Sequence, residues 1–114
     1  MTEPISVNIW LDDMRKAPVG WLHLHNIDEI ERFIGVVQAV DDLRIEQMSF
    51  DFNLSQTKRG IEVMKYLADE CIKYNTKKLW PKKLLYHSTD TKGIEMMKVF
   101  AESFEKDILP GLGK

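Results

Sequence analysis

The chain has 114 residues, of which 44% are hydrophobic and 30% are charged. This length and this balance are typical of one globular domain, residues 1–114, and argue against a multidomain enzyme or a disordered chain. Sixteen Lys and Arg against eighteen Asp and Glu give a net charge of −2. The chain therefore has no excess of basic residues with which to bind a phosphate backbone over many contacts, and we expect no extended nucleic-acid binding.

The sequence predicts neither export nor membrane insertion. No apolar run approaches the roughly 18 residues of a membrane-spanning helix, and the first residues lack the basic-then-apolar layout of a signal peptide. The single cysteine, Cys71, lies in an amphipathic stretch, where we expect a buried and reduced thiol. We therefore expect a cytoplasmic protein with no membrane partner.

The chain opens with a strand that ends in two acids. Residues 5–11 alternate and then become fully apolar, which predicts a buried strand running into Asp12 and Asp13. Pro18 interrupts any helix that follows, and residues 21–25 again alternate as a strand does. His23 and His25 within that segment share one face, which fits either a metal-binding pair or, as we favour, a half-exposed outer strand.

A helix and a third strand come next. Asn26 is a suitable N-cap, with Glu29 placed to reach back as in a capping box, and apolar residues recur at helical spacing as far as Val40. Residues 45–50 predict a strand that again ends in an acid, Asp51. A polar loop from Asn53 to Arg59 then leads to a second helix, which begins near Gly60.

The last third of the chain predicts a fourth strand and a final helix. Residues 82–87 form the strand, which ends in His87 and Ser88, and the helix begins near Lys92 and stops before Pro110. Before the strand, Trp80 is expected to pack at an edge, within a basic turn that is either solvated or a weak patch for an acidic partner. The lysines of this turn are Lys77, Lys78, Lys82 and Lys83.

Strands that alternate with amphipathic helices predict a small three-layer α/β/α domain. We expect a four-stranded, mainly parallel sheet in the order 2-1-3-4. Ligands of such sheets bind beyond the carboxyl ends of the strands. The residues predicted at that edge are Asp12, Asp13, Asp51, His87 and Ser88.

Carboxylates that converge at one edge stay ionised only if positive charge lies between them. Oxygen donors suit Mg²⁺ or Mn²⁺, so Asp12, Asp13 and Asp51 are candidate metal ligands. Neighbouring strand-end residues point in opposite directions. We therefore expect Asp13 to face the pocket more fully, while Asp12 orients it or holds Arg15.

Phosphoryl chemistry fits such a cation. Asp13, Asp51 and His87 are the candidate catalytic groups, with His87 moving protons near neutral pH. Arg15, Ser88 and Thr89 are candidate donors to phosphate oxygens. Each has a plainer interpretation: a turn cap for the acids, a surface charge for Arg15, a backbone-bonded histidine, and a helix cap for the hydroxyls.

The acidic pair after the first strand, with Asp51 after the third, resembles the receiver domain of two-component signalling. Closer is the resemblance to the compact cyclic-phosphate processing receiver domain, which covers nearly the whole chain. The matching segments are residues 11–15 with Pro18, Gly20 and Trp21, residues 49–51, and His87 and Ser88 with Gly93. The resemblance implies a truncated, flavodoxin-like fold and metal-assisted, phosphoesterase-like processing of a cyclic or terminal phosphate on a nucleotide or RNA end.

Phe52 and Asn53 stand where the family pattern has a histidine and a second acid. This difference motivates an alternative, a non-catalytic pseudo-receiver that binds a phosphate ligand or a protein partner. A phosphoaccepting switch at Asp51 is a third hypothesis. A receiver's helix between the first two strands and its lysine-bearing fifth strand are not predicted here, which weighs against the switch.

Overall fold

The computed structural model describes residues 3–54 and 59–113. Its elements are β1 (Ile5–Leu11), β2 (Leu22–Leu24), α1 (Ile27–Ala39), β3 (Leu43–Phe50), α2 (Gly60–Tyr74), β4 (Lys83–Tyr86) and α3 (Thr91–Asp107), followed by a 3-10 turn at Leu109–Gly111. Part of the predicted loop between Asn53 and Arg59 lies outside the described residues. Among the described helices, none is long and apolar enough to cross a bilayer.

The four strands form one parallel sheet in the order β2-β1-β3-β4, which confirms the predicted order. The central strands β1 and β3 pair from Ile5 and Leu43 to Leu11 and Phe50, with one irregularity after Val7. Because these strands end side by side, the acids that follow them emerge at neighbouring positions of the carboxyl edge.

All three helices cover the same face of the sheet. The crossovers through α1 and α2 both progress toward β4, and right-handed crossovers in one direction place their helices on one side. The third helix joins them there, since Lys98 lies over the Tyr86 ring and Met97 lies beside Gly60. This covered face supplies buried apolar side chains from the two central strands: Ile9, Leu11, Leu43, Ile45, Met48 and Phe50.

The opposite face of the sheet is polar and largely half-exposed, with Asn8, Trp10 and Gln47 among its side chains. In the described part of the chain no helix covers it, and the smallest extent of the molecule is 20 Å, about one sheet plus one helix layer. The expected three-layer arrangement is thus reduced to two. A helix on the second face would have to follow β1, where Pro18 and the left-handed Gly20 (φ 87°) stand instead.

The helix starts follow from their capping residues. Asn26 accepts a hydrogen bond from the Glu29 amide at the start of α1, as predicted, and Asp90 accepts one from the Gly93 amide at the start of α3. Glu29 reaches back one residue further than in a capping box, because its carboxylate accepts from the His25 amide. Each cap joins residues three apart in the chain, so both can be predicted from the sequence.

Two glycines allow α2 and α3 to approach the segment after β3. A Cβ atom on Gly60 would overlap the carbonyl oxygen of Asp51, and one on Gly93 would overlap the ring of Phe52. The Gly60 amide also donates to the Phe52 carbonyl at 2.6 Å. The starts of both helices are thereby fixed against the candidate site.

Two residues of the core bear on the sequence predictions. Cys71 is fully buried, as expected, and burial raises the pKa of its thiol to about 12. The prediction that Trp80 packs at an edge is wrong, because its side chain is buried. Its ring lies 4.6 Å from that of Phe104, and its indole N–H donates to Glu105. The contact with α3 pulls it into the core.

Candidate functional site

Three carboxylates meet at the carboxyl edge of the sheet. Asp12 and Asp13 follow β1 and Asp51 follows β3, and their ligand oxygens lie within 4.8 Å of one another. The backbone continues the sheet up to this point, with the Asp12 amide donating to Leu24 and the Asp51 amide donating to Leu11. Among the described residues, this is the one cluster of acids, histidines or cysteines with the geometry of a metal site.

Asp12 is the buried centre of this cluster, only 1% exposed. Its Oδ1 accepts from the amides of Met14 and Arg15 at 2.8 and 2.9 Å, and its Oδ2 accepts from His87 Nε2 at 3.0 Å. Burial opposes ionisation of this carboxyl, but the three hydrogen bonds outweigh it and leave the pKa of Asp12 below its ordinary value. Asp12 is therefore a fixed, ionised carboxylate.

Asp13 is exposed and still contributes one oxygen to the cluster. Asp12 does contact Arg15, whereas the expectation that Asp13 faces a ligand pocket more fully stays a prediction. Asp51, in contrast, is buried.

Both ring nitrogens of His87 are engaged. Nδ1 lies 2.7 Å from Ser49 Oγ, and Nε2 lies 3.0 Å from Asp12 Oδ2. The imidazole also stacks on the indole of Trp10, with centroids 3.7 Å apart. Burial lowers the pKa of His87, and the hydrogen bond to Asp12 only partly offsets this. With a neutral ring beside an ionised Asp12, the pattern assigns the proton to Nε2, and Nδ1 then accepts from the Ser49 hydroxyl.

Arg15 spans the cluster. Its Nε lies 3.4 Å from Asp12 Oδ2, one terminal nitrogen lies 4.0 Å from Asp51 Oδ1, and the other donates to the His87 carbonyl at 2.9 Å. The side chain is half-exposed. A planar guanidinium with five N–H groups retains donors for an anion in this position. These contacts within the site favour the interpretation of Arg15 as a donor to an anion over that of a solvated surface charge.

Ser49 and Trp10 were not among the predicted site residues. Both lie on the half-exposed face of the sheet, on adjacent strands, and they pair in the β1–β3 register. Alternation along each strand places them on the face away from the apolar core. Their contact with His87 depends on the alignment of three strands, which no local sequence signal encodes.

The remaining candidates lie around this centre. Ser88 directly follows His87, and its hydroxyl accepts from the Asp90 amide, whereas Thr89 is exposed. The rings of His23 and His25 stack on each other, but each has its own partner. His23 Nε2 lies 2.6 Å from the Asp12 carbonyl, and His25 pairs with Glu29. The arrangement favours the outer-strand interpretation of this pair over a metal-binding one.

The two residues that depart from the family pattern have contacts outside the carboxylate cluster. Phe52 is buried against Gly93, with the Arg59 guanidinium 5.6 Å from its ring centroid. Asn53 is exposed and forms an isolated bridge with Arg59. The aromatic ring at position 52 thus belongs to the packing of α3.

A family model described as the cyclic-phosphate processing receiver domain matches residues 7–103. The chain belongs to this family. The matched range contains all three carboxylates, Arg15 and His87, so the whole site of this receiver domain lies inside the family region. No curated protein and no solved structure matches the chain significantly.

The donor set of the receiver domain fits a hard divalent cation. Oxygens bound to Mg²⁺ at about 2.1 Å lie roughly 3 to 4 Å apart, and the three carboxylate oxygens need only a small contraction from their separations of up to 4.8 Å. Asp12 and Asp51 are held by the ends of β1 and β3. Only Asp13 is free in solvent to adjust.

Proposed function

We propose that this receiver domain is a cytoplasmic, metal-assisted phosphoesterase that hydrolyses a cyclic or terminal phosphate on a nucleotide or RNA end. The observation that carries the proposal is the meeting of three carboxylates with Arg15 and His87 at one edge of the sheet. Negative groups for a cation and a positive group for an anion lie side by side there. Phosphate-ester chemistry needs both.

In this proposal Asp12, Asp13 and Asp51 hold Mg²⁺ or Mn²⁺. When bound, the cation offsets charge on the phosphate oxygens and increases the acidity of a coordinated water. Arg15 keeps its contact with the Asp12 carboxylate and donates its remaining N–H groups to a phosphate oxygen. The hydroxyls of Ser88 and Thr89 are proposed as further donors.

His87 is proposed to move the proton. It takes up a proton at Nδ1, because Nε2 already carries the proton that it donates to Asp12. The Ser49 hydroxyl rotates from donating to accepting when that proton arrives, and the Asp12 carboxylate stabilises the resulting imidazolium. The proton comes from the attacking water, whose oxygen forms a new P–O bond as the P–O bond to the leaving oxygen breaks. His87 then gives the proton to that leaving oxygen, so the ring is neutral again at the end of the cycle.

The test is hydrolysis of a 2′,3′-cyclic nucleotide with Mg²⁺ or Mn²⁺, followed by chromatography of the nucleoside monophosphate. We expect Asp13→Asn and Asp51→Asn to lower the rate by about 100-fold or more. Asp69→Asn is the matched control, because Asp69 is an exposed aspartate of α2, and its rate should equal that of the wild type. Unchanged turnover in both cluster variants contradicts the proposal.

A second candidate function, a non-catalytic phosphate-binding receiver, is favoured by one observation. Arg15 already supplies positive charge to Asp12 and Asp51, so the cluster has a counter-ion within the chain. This alternative predicts binding of a cyclic nucleotide without metal and without turnover, lost in Arg15→Gln. Activity created by the Phe52→His and Asn53→Asp pair would instead indicate a catalytic pocket that has decayed.

A further inference from the structure

A second charged feature lies at the opposite edge of the sheet, where β3 and β4 begin. A cavity of about 450 Å³ lies between the α1–β3 turn and the α2–β4 connection. Four cationic side chains and one carboxylate line it, and we call it the basic cavity. They are Arg44, Lys77, Lys78, Lys82 and Asp41.

Backbone carbonyls hold two of these cations in place. Lys78 Nζ donates to the Val40 carbonyl at 2.7 Å, and the Arg44 guanidinium donates to the carbonyls of Asp41 and Leu43 at 2.6 and 2.9 Å. A carbonyl fixes a cation without cancelling its charge. Both side chains retain N–H donors that these bonds do not use, so positive charge is positioned before a ligand arrives.

The charge of this cavity is opposite in sign to that of the chain. The chain carries a net charge of −2, whereas the lining has an excess of three positive charges. Lys82 also contacts Glu46 at 3.6 Å, an exposed pair that is screened by solvent. Like charges around a concave surface repel one another, and a multiply charged anion bound between them relieves that repulsion.

We propose that the basic cavity binds an oligophosphate, that is, two or three linked phosphates. Such a chain carries about as much negative charge as the lining carries positive excess, and a single phosphate carries less. Arg44 suits paired contacts to neighbouring phosphate oxygens, and the lysines act as point charges. The cavity volume lies in the range of small-ligand sites. The phosphate chain could come from a nucleoside triphosphate or from inorganic polyphosphate.

This site is separate from the carboxylate cluster. Asp51 follows Ile45 by six steps along β3, which separates the two edges by about 20 Å. One phosphate group cannot contact both. The inference therefore does not depend on the proposed hydrolase activity.

The experiment is an amide NMR titration of the metal-free protein with inorganic tripolyphosphate, with ATP and with AMP. We expect saturable shifts from the two triphosphates at residues 41–46 and 77–83, with AMP at least about tenfold weaker. Equal affinity for tripolyphosphate and ATP would assign recognition to the phosphate chain alone. Tighter binding of ATP would assign the nucleoside triphosphate as the source.

Two lysine variants distinguish specific binding in the cavity from a general attraction of the anion to surface lysines. Lys77→Gln removes an exposed cation of the cavity and is expected to weaken tripolyphosphate binding about five- to tenfold. Lys83→Gln removes the same charge from an exposed lysine of β4 that does not line the cavity, and it should change the affinity less than about twofold. Equal weakening by both variants, shifts confined to residues 11–15 and 87–91, or no saturable shift would overturn the inference.

Discussion

Asp12 and Asp13 are adjacent in the chain but differ in their surroundings. Asp12 is buried and accepts three hydrogen bonds, whereas Asp13 is exposed. Asp12 therefore contributes both to the stability of the fold and to the site, whereas Asp13 contributes to the site alone. The same Asp→Asn substitution at the two positions should therefore have different effects on stability.

We predict that Asp12→Asn lowers the free energy of unfolding by about 2 kcal/mol, because a buried charge-assisted hydrogen bond to His87 is lost. Asp13→Asn should change it by less than about 0.5 kcal/mol, as is usual for an exposed side chain. Urea unfolding at pH 7 measures both values. Equal losses in the two variants would contradict the assignment of Asp12 as the structural centre.

The pH dependence of stability should reflect the titration of the His87 imidazole. Its pKa in the folded protein lies below the ordinary value of 6.5 because of burial, so the unfolded chain binds the proton first as the pH falls. Stability from the neutral imidazole is fully present above pH 6.5 and is lost as the pH falls through the folded pKa. The lowered pKa of Asp12 acts in the same direction, but only below its ordinary value of 3.8.

The measurement is the free energy of unfolding in urea at several pH values between 5 and 8. The wild type should lose stability from neutral pH toward pH 5, and His87→Asn should lose less over the same interval. If His87→Asn loses as much stability between pH 8 and pH 5 as the wild type, a group other than His87 causes the pH dependence.

The helices α2 and α3 are positioned by close contact with the segment after β3 rather than by helix propensity. Gly93 lies in the first turn of α3 against the ring of Phe52, whereas Gly35 lies within α1 with open space around it. Both are helical glycines, which normally cost stability relative to alanine. Their surroundings give opposite expectations for the same change.

We predict that Gly93→Ala destabilises the domain by about 1 to 3 kcal/mol, because the added methyl overlaps a buried ring. Gly35→Ala is the matched control and should stabilise by up to about 1 kcal/mol, since it only improves helix propensity. Thermal unfolding followed by circular dichroism distinguishes them. Stabilisation by both substitutions would contradict the close packing of α3 on the strand-end segment.

Elements with local signals were predictable from the sequence. The apolar periodicity of the helices, the Asn26 cap and the acids that follow β1 and β3 all lie in short segments. The expected strand order 2-1-3-4 is also the observed one. The contact of Ser49 and Trp10 with His87 was not predictable, because it requires the register of strands 38 or more residues apart in sequence. The prediction for Trp80 was wrong for a similar reason, since its partners lie on α3 and are distant in sequence.

Clusters of opposite charge lie at opposite edges of the sheet. The carboxyl edge gathers Asp12, Asp13 and Asp51, and the amino edge gathers the basic cavity. A two-layer domain leaves both edges open to ligands. Cations should therefore stabilise the fold by binding at the carboxyl edge of the sheet, and anions by binding at the amino edge.

We predict that Mg²⁺ bound at the carboxylate cluster raises the melting temperature, by an amount that grows with the logarithm of its concentration above the dissociation constant. At a concentration 100 times its dissociation constant, a ligand of the folded state adds about 2.7 kcal/mol. Asp13→Asn should remove most of this increase while leaving the metal-free melting temperature nearly unchanged. A shift of equal size in that variant would indicate nonspecific ion effects.

We propose that the three carboxylates form one divalent cation site, and an amide NMR titration with Mn²⁺ and Mg²⁺ is the measurement that tests this. We expect Mn²⁺ to broaden, and Mg²⁺ to shift, the resonances of residues 11–15, 51–54 and 87–91 in a saturable manner, with both effects lost in Asp13→Asn. Broadening spread over the whole surface, or a localised response that Asp13→Asn leaves intact, would show that these carboxylates do not form one cation site.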